Sequence, residues 1–274
     1  MNKEYTFEDR LSGVSKLAKL ALVTGASEGI GFELCKLLAK DGYSIVLTAR
    51  NQKQLERRVE QLKEHKIETH IIVEDLSVPN ACERIVEQLA QKNLPVDLLI
   101  NNAGFANYGN FAENSLEKEM ALLQVNIVAL TKLTKLLLPS MIKNRDGKIM
   151  NLASMAAFVA GPQMAVYYAS KAYVLSFSQG LACELEGSGV TVTAVCPGAT
   201  STEFQERAGL GRSKLFSQVK PMDSTTVAEI GYRGMMNGET IVVTGALNKM
   251  MAFSTRLFPR SMSTRLVKRI QAAR

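Results

Sequence analysis

The sequence contains few of the residues that build metal sites. It has two histidines and four cysteines in 274 residues, and no two cysteines are spaced as CxxC. Structural zinc sites need closely spaced Cys and His ligands, so we expect no metal. The cysteines lie among apolar residues, which indicates reduced core positions in a cytoplasmic protein. They are Cys35, Cys82, Cys183 and Cys196.

Long apolar runs are also missing. The richest run, VNIVALTKLTKLLLPSMI, is interrupted by Lys132 and Lys135, so we expect no membrane-spanning helix. The first 17 residues include Glu4, Glu8 and Asp9 and contain no apolar core, which disfavours a signal peptide. Both features favour a cytoplasmic location.

Acidic residues are absent from one segment, the last 26 residues. Residues Lys249–Arg274 contain seven basic residues and account for the whole net charge of +7. A nucleic-acid-binding face would be expected on the folded body, so we expect no nucleic-acid partner. We divide the chain into a body, 1–248, and a basic amphipathic tail, 249–274. The tail packs on the body or a second subunit, lies on an anionic membrane, or is a solvated end.

The body alternates apolar strand-like runs with helical stretches. The runs are KLALVTG, YSIVLTAR, THIIVEDL, VDLLINNAG, GKIMNLAS, GVTVTAVCPG and TIVVTG. The helices predicted between them include a long one at about 115–144 and others at about 164–187 and 224–236. Continuous apolar strands between helices indicate a parallel sheet covered on both faces. We predict a single-domain α/β Rossmann fold, with a doubly wound seven-stranded parallel sheet.

A glycine-rich loop follows the first strand. A loop of this kind lets the backbone approach a pyrophosphate closely, and the helix behind it offers unpaired N–H groups to the negative charge. The motif is TGxxxGxG, and with a strand before it and a helix after it, it predicts a nucleotide site without naming the nucleotide. The residues assigned to it are Thr24, Gly25, Ser27, Glu28, Gly29, Ile30 and Gly31.

Further motifs in the same order resemble those of the short-chain dehydrogenase/reductase family, including its bacterial 3-ketoacyl-reductase-like members. They are NNAG at Asn101–Gly104, Asp75 after the third strand, Asn126, Ser154, the YxxxK pair Tyr167 and Lys171, and PGATST from Pro197. The resemblance runs from about residue 19 to residue 245. It implies further cofactor contacts from Asp75, Leu76, Asn102, Ala103, Gly104, Tyr167, Lys171, Pro197, Gly198 and Thr202.

The end of the second strand selects between NAD and NADP. An acidic residue there would bind the ribose 2′-hydroxyl of NAD, whereas a basic one accommodates the 2′-phosphate of NADP. The sequence LTAR has Thr48 in the usual acidic neighbourhood and Arg50 just beyond it. Glu28 counts against NADP, because similar NADP-dependent proteins often have a basic residue before the second glycine. We predict NADP(H), with Arg50 on the phosphate.

Two adjacent tyrosines, Tyr167 and Tyr168, precede Lys171 at helical spacing, and spacing alone allows the lysine to reach either. The resemblance assigns catalysis to Tyr167, with Tyr168 as a packing residue. It implies that Lys171, together with the positive nicotinamide of the oxidised cofactor, lowers the pKa of the phenol. It also implies that Ser154 polarises the substrate carbonyl and that Asn126 holds a water linked to Lys171.

The sequence leaves the substrate open. The apolar loop at 155–165 favours a lipophilic ketone, and we predict an NADPH-dependent carbonyl reductase acting on a 3-oxoacyl thioester. A hydroxysteroid or other lipophilic alcohol dehydrogenase and a non-catalytic NADP-binding sensor or scaffold are the alternatives. The segment 199–222 is predicted to be a mobile lid. The resemblance also implies a homodimer or homotetramer that pairs through the helices at 115–144 and 164–187.

Overall fold

A computed structural model of the chain describes residues 19–202, 221–257 and 259–271. Seven strands form one parallel sheet in the spatial order β3-β2-β1-β4-β5-β6-β9. They are β1 (Leu20–Thr24), β2 (Ser44–Ala49), β3 (Thr69–Val73), β4 (Leu98–Asn101), β5 (Gly147–Leu152), β6 (Val190–Cys196) and β9 (Ile241–Val243). The short strands β7 (Thr200–Ser201) and β8 (Met222–Asp223) form a separate parallel pair. The predicted doubly wound sheet of seven strands is confirmed.

Helices cover both faces of the sheet. They are α1 (Gly29–Lys40), α2 (Gln52–Leu62), α3 (Ala81–Gln91), α4 (Leu116–Leu123), α5 (Leu130–Asn144), α6 (Ala165–Glu184), α7 (Ser224–Met236), α8 (Ala246–Ser254) and α9 (Arg260–Gln271). One core layer packs α1, α2 and α7 on the sheet, and a second packs α3, α5 and α6 on its other face. The two layers follow from the alternation of side chains along each strand. On β1, Ala21 and Val23 point into the first layer, whereas Leu20 and Leu22 point into the second.

The long helix predicted at about 115–144 is present, but a π-helical turn at Gln124–Ala129 separates α4 from α5. By length and composition Leu116–Asn144 could cross a membrane, with 44% of its most apolar window buried. Here Leu133, Leu137 and Met141 pack in the core of the sheet domain. A π-turn widens a helix locally and is common at functional sites.

One prediction about the cysteines is wrong. Cys35, Cys82 and Cys196 are buried, but Cys183 is exposed near the end of α6. Its apolar neighbours in the sequence do not bury it, because α6 turns only one face to the sheet. In the described ranges no group of three or more His, Cys, Asp or Glu side chains could hold a metal ion.

The tail packs on the body through α8 and α9. Ala252 of α8 is buried, and Val267 of α9 packs against an apolar cluster that contains Tyr167 and Tyr168. Large apolar side chains of the tail nevertheless remain more than half exposed, among them Met250, Phe253, Leu257, Met262 and Leu266. Of the three interpretations of the tail, packing on the body therefore describes its placement. Part of its apolar surface remains exposed.

Candidate active site

A cavity of about 1240 Å³ lies where the carboxyl ends of the strands open. The glycine loop lines one part of it and the tyrosine pair lines another. Of the predicted site residues, those lining it are Gly25, Ser27, Glu28, Gly29, Ile30, Arg50, Asp75, Leu76, Asn102, Ala103, Gly104, Ser154, Tyr167, Lys171, Pro197, Gly198 and Thr202. Thr24, Gly31 and Asn126 lie behind this lining and support it.

The glycine loop is shaped by close backbone approaches. Gly25 has φ +64°, which favours glycine. A Cβ atom on Gly31 would lie 2.3 Å from the Gly25 carbonyl oxygen and 2.4 Å from the Asn102 amide nitrogen. Gly29 and Ile30, the first residues of α1, line the cavity beside them. The loop and helix terminus therefore form a cradle suited to a pyrophosphate.

Thr24 and Asn102 fasten this loop to β4. The Thr24 Oγ1 atom accepts hydrogen bonds from the backbone N–H groups of Asn102 at 3.0 Å and Ala103 at 3.1 Å. The Asn102 side-chain amide donates to the carbonyl oxygens of Thr24 at 2.9 Å and Gly25 at 3.1 Å. Asn101, buried in the sheet, donates to Asn151 on β5 at 2.9 Å. NNAG thus supports the loop mainly through Asn102.

We expect Gly31→Ala to weaken cofactor binding by at least about tenfold, because neither neighbouring backbone nor the Asn102 amide can give way cheaply. Gly180→Ala is the matched control, since it is also a helical glycine and a Cβ there meets nothing within 4 Å. It should keep cofactor affinity and stabilise α6 by up to about 1 kcal/mol. Fluorescence titration with NADPH measures the Kd of both variants. Equal affinities in the two variants would contradict the close packing.

Arg50 reaches the cavity from the end of β2. Its side chain is 69% exposed, and its Nη1 atom lies 3.8 Å from the Asp75 Oδ2 atom. Asp75 also accepts hydrogen bonds from the Ser77 backbone N–H at 2.9 Å and the Ser77 hydroxyl at 2.7 Å. Asp75 is therefore oriented by its own turn, and the exposed guanidinium can turn toward a phosphate.

Arg58 is a supporting residue that the sequence analysis missed. Its Nε atom donates to the Ser27 carbonyl oxygen at 2.8 Å, and its guanidinium lies 4.5 Å from the centroid of the Phe32 ring. It therefore ties α2 to the glycine loop. Arg58 follows Arg57 in a polar helix, and only its position on the helix face distinguishes it from a solvated arginine.

Tyr167 is buried at the inner wall of the cavity, near Ser154. Burial raises the pKa of Tyr167 to about 12, and a hydrogen bond with Ser154 acts in the opposite direction. Ser154 follows β5, where its Oγ atom also accepts a hydrogen bond from the Ala156 backbone N–H at 3.1 Å. The two hydroxyls therefore share one point of the cavity.

Lys171 lies one helical turn after Tyr167 and is buried as well. Its Nζ atom donates to the Leu152 carbonyl oxygen at 2.6 Å and lies 5.8 Å from the centroid of the Tyr167 ring. Burial lowers the pKa of Lys171 to about 8. Lysine is still mainly charged near neutral pH, and it faces the same tyrosine that the YxxxK spacing selects.

The lowered pKa that the resemblance implies for Tyr167 stays a prediction, because it involves both Lys171 and the positively charged nicotinamide of an oxidised cofactor. In the protein chain alone, the pKa of Tyr167 lies above its ordinary value. The loss of solvation of the buried phenolate outweighs the stabilisation that its neighbours give to the charged form. A phenol in this environment holds its proton and is suited to donate a hydrogen bond.

Asn126 sits in the π-helical turn and connects it to the cavity wall formed by Ser154, Tyr167 and Lys171. Its side-chain amide donates to the Phe105 carbonyl oxygen at 3.0 Å and to the Ser170 hydroxyl at 3.1 Å, and its Oδ1 atom accepts from the Phe105 N–H at 3.1 Å. The Ser170 hydroxyl in turn donates to the Tyr167 carbonyl oxygen at 2.7 Å. Ser170 and the π-turn are links that the sequence motif did not reveal.

The other end of the cavity is apolar. Met155, Phe158, Val159 and Met164 of the predicted substrate loop line it. The Tyr168 ring packs so closely on Gly161 that a Cβ there would lie 2.3 Å from a ring atom, and it meets Tyr167 edge-on at 6.1 Å between centroids. Helices α8 and α9 contribute further residues of the lining. Most of the predicted lid, residues 203–220, lies outside the described residues.

Comparisons with known proteins agree with this architecture. The sequence model of the short chain dehydrogenase family matches residues 19–213. Ketoacyl reductase HetN from Nostoc is 32% identical over 251 residues, which cover 89% of this chain and 86% of that protein. Sulfoacetaldehyde reductase 2 from Chromohalobacter salexigens is 33% identical and covers 78% of this chain and 87% of its own length.

A solved structure is similar along almost the whole chain. The short-chain dehydrogenase from Sphingobium yanoikuyae, solved in complex with NADPH, superposes with a TM-score of 0.79 and 30% sequence identity. The match covers 87% of this chain and 93% of that one. With the family match over more than half of the sequence, these similarities show that the chain belongs to the short chain dehydrogenase family and is an oxidoreductase.

Proposed function

We propose that the protein reduces the carbonyl group of a lipophilic ketone with NADPH, and that its substrates are 3-oxoacyl thioesters. One observation carries the proposal. Ser154, Tyr167 and Lys171 meet in a cavity that also contains the glycine loop and Arg50, and that is apolar beyond the tyrosine. The names of the relatives HetN and sulfoacetaldehyde reductase 2 also state carbonyl reduction.

Each residue of the catalytic wall has a role that follows from its position. Ser154 and Tyr167 would donate hydrogen bonds to the carbonyl oxygen and stabilise the negative charge that develops there. Tyr167 would then transfer its proton to that oxygen. NADPH supplies the hydride to the carbonyl carbon. Lys171, held by the Leu152 carbonyl oxygen, would place a positive charge next to the phenolate left behind.

Asn126 would keep this wall in place through Phe105 and Ser170. The proposed water between Asn126 and Lys171 would replace the proton of Tyr167. A Cβ atom on Gly104 would lie 3.1 Å from the Asn126 Oδ1 atom and 3.5 Å from the Lys171 Nζ atom. Both polar groups therefore border the small space above Gly104, which supports a shared water there.

The residues present fit NADP(H). The close approach of Gly25 and Gly31 leaves room for a pyrophosphate, and Asp75 and Leu76 line the part of the cavity expected to receive the adenine. Arg50 would bind the 2′-phosphate. Three solved relatives of 25% identity or more contain NADPH or NADP+, including a polyketide ketoreductase that is 28% identical with a TM-score of 0.74.

Replacing Arg50 with aspartate should reverse the cofactor preference. We expect kcat/KM with NADPH to fall by about tenfold or more relative to that with NADH, because a carboxylate repels the 2′-phosphate and accepts a hydrogen bond from the 2′-hydroxyl. Arg57→Asp is the matched control, with the same charge change on an exposed side chain outside the cavity lining. A wild-type preference for NADH would refute the assignment.

The substrate class is tested by NADPH oxidation with acetoacetyl and long-chain 3-oxoacyl thioesters, steroids and small aromatic ketones. The thioesters should be the best substrates. Failure of every thioester beside a reduced steroid would reverse the assignment.

We further propose a cytoplasmic homodimer or homotetramer. Apolar side chains remain exposed on the two helices predicted to pair, including Leu136 on α5 and Tyr173 on α6. Tyr173 also stacks on Phe177 with 5.8 Å between ring centroids, which adds aromatic area to this apolar surface. Sedimentation measures the subunit number.

A further inference from the structure

The last helix, α9, covers the apolar end of the active-site cavity. Val267 packs against the apolar cluster that contains Tyr167 and Tyr168. The residues of α9 that line the cavity are Met262, Ser263, Arg265, Leu266, Val267 and Arg269. The tail therefore forms part of the cavity lining, which the sequence motifs of the body do not indicate.

Two exposed arginines of α9 lie at the rim of the cavity. Arg265 and Arg269 are four residues apart and therefore share one face of the helix, which also carries Met262 and Leu266. This face offers positive charge beside apolar surface. Arg256 and Lys268 of the same tail are also exposed but do not line the cavity.

Few acidic side chains are present in the part of the cavity lining that the structure describes. The acidic side chains of its described lining are Glu28, Glu74 and Asp75, which belong to the glycine loop and the end of β3. The sequence has no acidic residue from Ala246 onward. Among the described residues, no ion pair involves Arg265 or Arg269. Two guanidinium groups at the rim of an apolar pocket favour a ligand that is both lipophilic and anionic.

We propose that Arg265 and Arg269 bind an anionic group, a phosphate or carboxylate, at the far end of the carbonyl substrate. The carbonyl group lies at Tyr167, the apolar part contacts Met164 and Leu266, and the anion reaches the arginine pair. This inference rests on the proposed carbonyl reduction and adds the charge of the substrate to it.

The first test compares two thioesters of the same 3-oxoacyl group. Acetoacetyl-coenzyme A carries phosphates, whereas acetoacetyl-N-acetylcysteamine is neutral. We expect the wild-type protein to favour the anionic thioester in kcat/KM, and R265Q/R269Q to reduce that ratio by about tenfold or more. The control R256Q/K268Q removes two basic residues from the same tail outside the cavity and should keep the wild-type ratio. Equal ratios in all three proteins would overturn the proposal.

Two further measurements separate other sources of the anion. A rise in the KM for NADPH in R265Q/R269Q, with an unchanged thioester ratio, would assign the pair to the cofactor and overturn the proposal. Loss of sedimentation with phosphatidylserine vesicles, again with an unchanged ratio, would assign it to a membrane surface with the same consequence. Thermal unfolding of each variant confirms that the fold is kept.

A binding experiment keeps the inference independent of turnover. Free coenzyme A is titrated calorimetrically into the NADP+-saturated protein. We expect R265Q/R269Q to raise its Kd by about tenfold and R256Q/K268Q to leave it close to wild type. If neither thioester is reduced but this difference is found, the proposed reaction fails while the anion site holds. Equal Kd values in both variants would overturn the anion site itself.

Discussion

Tyr167→Phe is expected to lower kcat for carbonyl reduction by about 10²–10⁴-fold while leaving the Kd for NADPH within about twofold of wild type. The substitution removes one oxygen, the proposed proton donor, from a ring that is buried beside Lys171. The aromatic packing with Tyr168 is kept, so the fold should not change. Steady-state NADPH oxidation and fluorescence titration measure the two quantities.

Tyr168→Phe is a stringent control, because the two tyrosines are adjacent, are exposed by only 9% and 8%, and belong to the same apolar cluster. Loss of the Tyr168 hydroxyl should leave kcat within about tenfold of wild type. If the Tyr168 variant lost turnover and the Tyr167 variant kept it, the assignment of the proton donor would be wrong. A non-catalytic NADP-binding sensor or scaffold would show no turnover in the wild-type protein or in either variant.

The fold could be predicted because its signals are local. The strands are uninterrupted apolar runs, and Gly25 and Gly31 must be glycines for the backbone and the Asn102 amide to approach. The YxxxK pair is also local, since a spacing of four on α6 fixes which tyrosine lies near Lys171. These features can be read from residues that are neighbours in sequence or on one helix.

The rest depends on contacts between distant residues. Arg58 supports the glycine loop from another helix, and Ser170 links Asn126 to the Tyr167 backbone across 44 positions. The lowered pKa of Lys171 comes from burial, which no short motif encodes. The tail was open to three interpretations, because amphipathic spacing defines an apolar face but not the surface that it contacts.

The burial of Lys171 leads to a second large effect, in which one substitution changes stability and activity in opposite directions. Lys171→Met should lower kcat by about 100-fold or more, because the cation beside Tyr167 is lost. In the protein freed of cofactor, the same change should increase the free energy of unfolding by roughly 2 kcal/mol at pH 7. A pKa lowered from 10.5 to about 8 corresponds to a destabilisation of the folded state by about 3 kcal/mol, which the variant removes. Loss of the hydrogen bond to Leu152 offsets about 1 kcal/mol of this gain.

The pH dependence of that gain identifies its cause. Because the folded-state pKa of Lys171 lies below its unfolded value, the unfolded chain binds more protons between pH 8 and 10.5, and this residue makes the wild-type protein more stable as pH rises through that window. The variant lacks this increase, so its advantage should be complete below pH 8 and should shrink toward pH 10.5. Urea unfolding across this range measures it, with the exposed Lys135→Met as control at within about 0.5 kcal/mol of wild type. A pH-independent gain would show that better packing of methionine, rather than relief of a buried charge, stabilises the variant.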